Sequence, residues 1–172
     1  MKQLILGGAR SGKSAYAQRL AEQSGHEVIY LATASAGDAE MAARIKQHQA
    51  DRPAHWRLIE EPVALAQVLQ QHATEGLCIL VDCLTLWLSN LLAEGDATLA
   101  QQRSALLQVL DNLPGRIILV SNEVGMGIIP MGELSRRFVD EAGWLHQQLA
   151  RQCDTVTLMV AGLPYPIKLP TE

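Results

Sequence analysis

Short apolar runs alternate along this chain with stretches in which apolar residues recur at helical spacing. The runs predict strands over 3–6, 27–33, 77–81, 116–121 and 155–161. The helical spacing predicts helices over 14–23, 84–92, 99–110 and 134–152, with loops at 95–98 and 124–132. A further helix is predicted over 38–49, because Asp38 is a good N-cap and Pro53 ends the pattern. Strands that alternate with helices predict an α/β fold, with a predominantly parallel sheet between two helical layers.

Composition narrows the class of protein. The 172 residues fit one domain, 1–172. Of these residues 48% are hydrophobic and 19% are charged, which is typical of a globular chain. The net charge of −4 argues against general nucleic-acid binding, which depends on basic surface. The N-terminal apolar run is too short for a signal peptide, and nothing approaches the roughly 18 apolar residues of a membrane span. Three cysteines without a CxxC spacing predict reduced core thiols, and hence a cytoplasmic protein.

A phosphate-binding loop follows the first predicted strand and precedes the first predicted helix. Residues 7–14 match the motif GxxxxGK[ST] in full: Gly7, Gly8, Ala9, Arg10, Ser11, Gly12, Lys13 and Ser14. Glycines let backbone N–H groups turn inward around phosphate oxygens, and the helix N-terminus adds a favourable dipole. We expect Lys13 to reach the β- and γ-phosphates and the Ser14 hydroxyl to bind Mg²⁺. The motif predicts a nucleoside triphosphate site.

Other polar residues stand at predicted strand ends, where a parallel sheet presents its ligand site. Asp82 follows a fully apolar strand and is a candidate Mg²⁺ ligand, directly or through a water. Thr85 is interpreted as a helix cap in preference to a member of the metal shell. The loop that starts at Ser121-Asn122-Glu123 is either a functional loop at a strand end or a structural one.

Arg44, His48 and Arg52 are spaced four residues apart, so a continuous helix would carry them on one stripe. Two interpretations stay open. The stripe is a solvated helix face, or the arginines favour a neutral, nucleophilic imidazole and hold the phosphates that it attacks. Glu60 and Glu61 are likewise either a charged loop or carboxylates that recognise a nucleotide sugar or base.

The chain resembles the bifunctional adenosylcobinamide kinase / adenosylcobinamide-phosphate guanylyltransferase family of cobalamin biosynthesis. The resemblance spans nearly the whole chain. It is carried by GGARSGKS (7–14), LATA (31–34), EMAARIKQHQADRPAHW (40–56), VDCLTLWLSNLL (81–92), SNEVGMGIIP (121–130) and VAGLP (160–164).

This resemblance implies a P-loop NTPase-type fold and two reactions. One phosphorylates adenosylcobinamide with ATP or GTP. The other transfers GMP from GTP to the product through a GMP-histidine intermediate, which places the nucleophile at His48. It further implies Mg²⁺, a homotrimer with sites between subunits, and GTP contacts at Thr33, Ala34, Ser35, Gln49, Ala50, Asp51, Arg52, Glu60 or Glu61, and Asp82. The competing hypotheses are a P-loop small-molecule kinase without guanylyltransferase activity and a nucleotide-dependent regulatory protein.

Overall fold

A computed structural model describes residues 1–34 and 53–170. Its strands are β1 (Lys2–Gly7), β2 (Glu27–Ala32), β3 (Arg57–Glu60), β4 (Leu77–Asp82), β5 (Arg116–Asn122), β6 (Thr155–Val160) and β7 (Leu163–Lys168). Its helices are α1 (Lys13–Glu22), α2 (Leu65–His72), α3 (Leu84–Glu94), α4 (Asp96–Leu110) and α5 (Glu133–Gln152). The strands form one sheet in the order β3-β2-β4-β5-β1-β6-β7. Every neighbouring pair is parallel except β6–β7, which confirms the predicted α/β class.

Two apolar clusters cover the two faces of the sheet. The larger cluster packs α2, α3, α4 and α5 against one face, and Trp87 is its largest fully buried side chain. The smaller cluster lies on the other face and joins Ala17 and Ala21 of α1 to Tyr30 of β2 and to Trp56. Successive strand residues alternate between the clusters, as Leu4 and Ile5 do, because side chains of a strand point to opposite faces. The fold therefore has the three layers that the sequence predicts.

All three cysteines are buried free thiols. Burial raises the pKa of Cys78 to about 11 and that of Cys153 to about 12, so both thiols stay protonated and unreactive near neutral pH. This confirms the prediction of core thiols. In the part of the chain that the structure describes, no helix has the length and apolar character to cross a membrane.

The structure adds elements that the pattern does not predict. Strand β3 and helix α2 occupy a stretch without an assigned element, and β7 runs antiparallel at one edge. The loop predicted over 95–98 is wrong, because α4 begins at Asp96, directly after Gly95. Gly95 takes a φ of 110°, which lets the chain turn between α3 and α4 without a longer loop. The helix predicted over 38–49 lies outside the described residues.

Candidate active site

The phosphate loop connects β1 to α1 at the carboxyl edge of the sheet. Arg10 and Gly12 both have positive φ values, 56° and 88°, which turn the loop back toward the start of the helix. The backbone N–H of Tyr16 donates to the carbonyl of Gly12 at 2.9 Å and begins the helical ladder. Lys13 Nζ lies 3.2 Å from the carbonyl oxygen of Gly8, so the ammonium closes over the loop. The two positive φ values and these contacts are those expected of a phosphate-binding loop between a strand and a helix.

The turn between β6 and β7 packs against this loop. Ala161 and Gly162 both have positive φ values, 51° and 80°, as expected for a tight two-residue hairpin turn. The N–H of Gly162 donates to the carbonyl of Ser11 at 3.0 Å. A Cβ on Gly12 would lie only 3.1 Å from Gly162 Cα. Gly12 is therefore required both for its backbone angle and for the close approach of the hairpin.

The hydroxyl of Ser11 is a buried polar group within the loop. Ser11 is 8% exposed, and its Oγ has no hydrogen-bond partner among residues 1–34 and 53–170. The hydroxyl packs toward Gly7, where an added Cβ would lie 2.4 Å from Ser11 Oγ. Gly7 therefore leaves the room that this side chain occupies at the base of the loop.

Asp82 ends β4 at the same edge of the sheet, two strands away from β1. Its Oδ2 accepts a hydrogen bond from the Tyr30 hydroxyl at 3.1 Å. The contact fixes the orientation of the carboxylate and leaves Oδ1 for another ligand. Oxygen ligands such as this carboxylate and the Ser14 hydroxyl suit Mg²⁺. Within the described part of the chain, no three His, Cys, Asp or Glu side chains cluster as a metal site.

Thr33 connects the ends of β2 and β4. Its hydroxyl donates to the carbonyl of Cys83 at 2.6 Å and accepts from the Cys83 N–H at 3.0 Å. Thr33 is fully buried, so it supports the site from beneath the surface. Ala34, which follows, is partly exposed. The structure therefore does not expose Thr33 for the predicted nucleotide contact.

Glu60 and Glu61 separate into two roles. Glu61 Oε1 accepts hydrogen bonds from the N–H groups of Val63 and Ala64, both at 2.8 Å, and so orders the turn before α2. Glu60 ends β3 at the carboxyl edge of the sheet, and its side chain is exposed. Of the two carboxylates, Glu60 is the one presented to solvent.

Thr85 does not cap α3, which corrects the expectation from the sequence. Cys83 holds the N-cap position and makes no side-chain capping bond. Thr85 Oγ1 instead accepts from the N–H of Asn122 at 2.7 Å and lies 3.3 Å from Ser121 Oγ. The hydroxyl therefore joins the start of α3 to the end of β5.

A buried polar network continues from Ser121 into α5. His146 Nε2 lies 2.7 Å from Ser121 Oγ, and its Nδ1 lies 3.8 Å from Glu123 Oε2. Burial lowers the pKa of His146, and the nearby Glu123 carboxylate opposes that shift. This network is not predictable from the sequence, because His146 lies 25 residues beyond Ser121 and no local pattern joins them.

A cavity of about 320 Å³ opens beside the phosphate loop. Gly8, Ala9, Arg10 and Ser11 line one side of it. Glu123, Met126 and the end of β6 with its turn line the rest. The phosphate loop thus borders a space lined by a carboxylate and by apolar side chains.

Several residues predicted for the site lie outside the described residues: Ser35, Arg44, His48, Gln49, Ala50, Asp51 and Arg52. The phosphate loop, Asp82 and Glu60 all lie at the carboxyl edge of the sheet, Asp82 two strands and Glu60 four strands away from β1. The placement of the predicted nucleophile relative to them stays a prediction.

Comparison with known proteins identifies similar sequences. Residues 3–167 match the family model described as cobinamide kinase / cobinamide phosphate guanyltransferase. The chain is 63% identical to the bifunctional adenosylcobalamin biosynthesis protein CobP of Pseudomonas aeruginosa PAO1, over 98% of each chain. It is 37% identical to the bifunctional adenosylcobalamin biosynthesis protein CobU of Escherichia coli K12, over 96% of this chain and 98% of the relative.

Solved structures support the fold. The RadB recombinase has a TM-score of 0.53 at 16% identity and covers 91% of this chain and 73% of its own. A protein from Pyrococcus horikoshii OT3 has a TM-score of 0.57 at 9% identity and covers 99% of this chain and 87% of its own. At these identities the likeness is one of fold.

Proposed function

Because the chain belongs to the cobinamide kinase / cobinamide phosphate guanyltransferase family, we propose that this single domain catalyses two successive transfers. The first moves the γ-phosphoryl group of ATP or GTP onto the aminopropanol hydroxyl of adenosylcobinamide. The second moves GMP from GTP onto that phosphate, giving adenosylcobinamide-GDP and pyrophosphate. The observation that carries the proposal is the complete phosphate loop between β1 and α1, in a chain that matches bifunctional relatives over almost its full length.

The phosphate loop serves both transfers in this proposal. In the first, its amides and Lys13 hold the β- and γ-phosphates while the terminal phosphoryl group leaves. In the second, the same groups hold the departing pyrophosphate.

The second transfer is proposed to proceed through His48. The imidazole displaces pyrophosphate from the α-phosphorus of GTP, and the phosphate of the acceptor then displaces the imidazole. Arg44 and Arg52 are proposed to hold the phosphate oxygens on either side of the reacting centre. The support for these roles is the sequence RIKQHQADR at 44–52 within the family match.

Mg²⁺ is the proposed cofactor, with Ser14 and Asp82 as the residues that would hold it, directly or through water. Their hydroxyl and carboxylate oxygens fit the preference of Mg²⁺ for hard oxygen ligands. When bound, the ion would neutralise charge on the phosphate oxygens. Tyr30 supports the assignment, because its hydrogen bond holds Asp82 in one orientation at the sheet edge.

Recognition of the rest of the nucleotide is proposed to involve Ala34, Ser35, the segment 49–52 and Glu60. Glu60 is preferred over Glu61, because the Glu61 carboxylate already accepts two backbone hydrogen bonds. An exposed carboxylate accepts hydrogen bonds from ribose hydroxyls or from a guanine amino group. Thr33 is proposed to hold the adjoining backbone in place.

The proposed assembly is a homotrimer, and the proposed location is the cytoplasm. An exposed apolar surface supports the trimer. This surface, called the apolar edge below, consists of Met126, Ile128, Ile129 and Met131 of the loop after β5 and of Leu163, Tyr165, Ile167 and Leu169 of the C-terminal strand region. Large exposed apolar side chains of this kind are typical of subunit interfaces. The three free thiols are consistent with a reducing compartment.

The experiment incubates the protein with α-labelled GTP and Mg²⁺ and locates the label by mass spectrometry. We expect an acid-labile, base-stable GMP adduct on His48, since a histidine–phosphorus bond has that stability. His48→Ala is expected to lose the adduct and the guanylyl transfer while keeping the kinase reaction. The matched control is His55→Ala, because His55 is an exposed histidine, and it is expected to form the adduct normally.

Two results would contradict this proposal. An adduct that survives His48→Ala would exclude His48 as the nucleophile. If the wild type phosphorylated adenosylcobinamide but was never guanylylated, the protein would be a P-loop small-molecule kinase without guanylyltransferase activity.

A further inference from the structure

Glu123 lines the cavity beside the phosphate loop. It directly follows β5, and its N–H donates to the carbonyl of Gly7 at 3.0 Å, so its backbone is fixed against the start of the loop. Its Oε1 accepts a hydrogen bond from the N–H of Gly125 at 2.6 Å. The carboxylate is therefore held in place beside the loop, with four-fifths of its side chain covered.

The contact of Lys13 indicates which end of the triphosphate this cavity meets. The ammonium of a phosphate-loop lysine binds the β- and γ-phosphates. Here Lys13 Nζ lies 3.2 Å from the carbonyl of Gly8, and Gly8 lines the cavity together with Glu123. Gly8 therefore links the two groups: it borders the space that Glu123 lines, and its carbonyl oxygen contacts the ammonium that binds phosphate.

The network behind Glu123 orients His146 toward the carboxylate. Thr85 Oγ1 accepts the N–H of Asn122, so its own proton is available for Ser121 Oγ. Ser121 can then donate to His146 Nε2, which leaves the ring proton on Nδ1. Nδ1 lies 3.8 Å from Glu123 Oε2, so a proton on Nδ1 points toward the carboxylate. The tautomer with its proton on Nε2 would instead turn the lone pair of Nδ1 toward this anion.

Ser121 is not a nucleophile in this arrangement, although serine, histidine and glutamate are the residue types of a hydrolase triad. Ser121 is only 2% exposed, while Glu123 borders the cavity. The member of the network that can reach a substrate is the carboxylate. Within this network, Glu123 is therefore the group that we expect to take part in a reaction.

We propose that Glu123 is the general base of the kinase half-reaction and that His146 is its positioning residue; this rests on the function proposed above. As the acceptor hydroxyl attacks, its proton passes to the carboxylate. Its oxygen forms the new bond to the γ-phosphorus, and the bond from that phosphorus to the β–γ bridging oxygen breaks. The nucleoside diphosphate leaves with that electron pair, and the carboxylate returns the proton to solvent.

The chemistry of the two acceptors makes this role specific to one reaction. An alcohol carries a proton that must be removed as its oxygen attacks. A phosphate monoester has a second pKa of about 6 and is mostly ionised at neutral pH, so it attacks without a base. Glu123 is therefore required for phosphorylation of the alcohol and dispensable as a base for guanylyl transfer.

Glu123→Gln tests this assignment, because the amide keeps the shape and the hydrogen bond from Gly125 but accepts no proton. We expect kcat for adenosylcobinamide phosphorylation to fall about 10²- to 10⁴-fold, the usual contribution of a general base. Guanylylation of the protein by α-labelled GTP should change less than about threefold, since no hydroxyl is deprotonated there. Glu133→Gln is the matched control, because Glu133 is an exposed glutamate in the first turn of α5.

The two activities distinguish the possible failures. An equal loss of both activities in Glu123→Gln would show a structural or binding role, and an unchanged kinase rate would exclude the base. A wild type that does not phosphorylate adenosylcobinamide would instead overturn the proposed function itself.

His146 is tested by a pair of substitutions. His146→Leu removes both ring nitrogens, and His146→Asn keeps a side-chain N–H close to the position of Nδ1. We expect His146→Leu to lower the kinase rate much more than protein guanylylation, and His146→Asn to restore part of that rate. Equal losses in both activities, or no difference between the two variants, would contradict a positioning role.

Discussion

The polar strand ends of the sheet and the apolar edge present opposite kinds of surface to a ligand or partner. At the ends of β1, β2 and β4, polar groups bind one another. Lys13 contacts the Gly8 carbonyl, Thr33 bonds the Cys83 backbone, and Tyr30 donates to the Asp82 carboxylate. The apolar edge instead exposes large side chains, with Ile128 98% and Tyr165 66% exposed. The first region has the fixed polar geometry that catalysis requires, and the second has the apolar area that association requires.

This difference predicts that substitutions in the two regions will affect different measurements. Changes at the strand ends should alter catalysis or local stability and leave the assembly intact. Changes at the apolar edge should alter the assembly first. Three experiments separate the regions on this basis, beginning with the largest expected effect.

Lys13→Ala removes the only ammonium in the phosphate loop. We expect both transfers to fall by at least about 10²- to 10³-fold, because one well-placed donor to a developing charge contributes that much. Steady-state assays of the two reactions measure the loss, with Arg19→Ala on the exposed side of α1 as the control. If one reaction stayed at the wild-type rate, the idea that a single phosphate loop serves both would be wrong.

Tyr165→Asp places a charge on β7, within the apolar edge. A charge buried at a subunit interface is strongly unfavourable, so we expect the assembly to dissociate to one-third of the wild-type mass, with the circular dichroism spectrum retained. Light scattering on a sizing column measures the mass. Ser89→Asp, at an exposed position of α3, adds the same charge elsewhere and should leave the mass unchanged. A wild type that is already monomeric would contradict the proposed trimer.

Thr33→Val keeps the shape of the side chain and removes the hydroxyl that pairs with Cys83. We expect the free energy of unfolding to fall by about 1–3 kcal/mol, because a buried N–H and a buried C=O lose their partner. Urea denaturation measures the change, and Thr98→Val in α4 is the control. A stability equal to the wild type would mean that Thr33 does not hold the ends of β2 and β4 together.

The strands at the centre of the sheet could be predicted because burial on both faces produces an uninterrupted apolar run, as in residues 77–81. The two edge strands lack that signal. β3 has only two apolar residues among its four, and β7 contains Pro164 and Pro166. Proline gives no N–H to a ladder and is tolerated at an edge, so β7 is a strand whose sequence is typical of a loop.

The candidate site divides in the same way. The phosphate loop is a contiguous motif, and its context between a strand and a helix was predictable from the sequence. The grouping of Thr85, Ser121, Glu123 and His146 depends on α3 and α5 packing beside β5, and pattern alone does not give that packing. Thr85 shows the consequence, since a residue that resembled a local cap makes its bonds to β5 instead.

The packing of the β6–β7 turn against the phosphate loop also has an evolutionary meaning. Gly12 and Gly162 are 150 positions apart in sequence, yet a Cβ on the first would touch the Cα of the second at 3.1 Å. A side chain gained at Gly12 must therefore be absorbed by a shift of the hairpin, whereas a Cβ on Gly162 would meet no atom within 4 Å. Natural variation at Gly12 is thereby limited by a hairpin encoded near the other end of the gene, and comparison of diverged relatives should find this glycine kept wherever that hairpin packs against the loop.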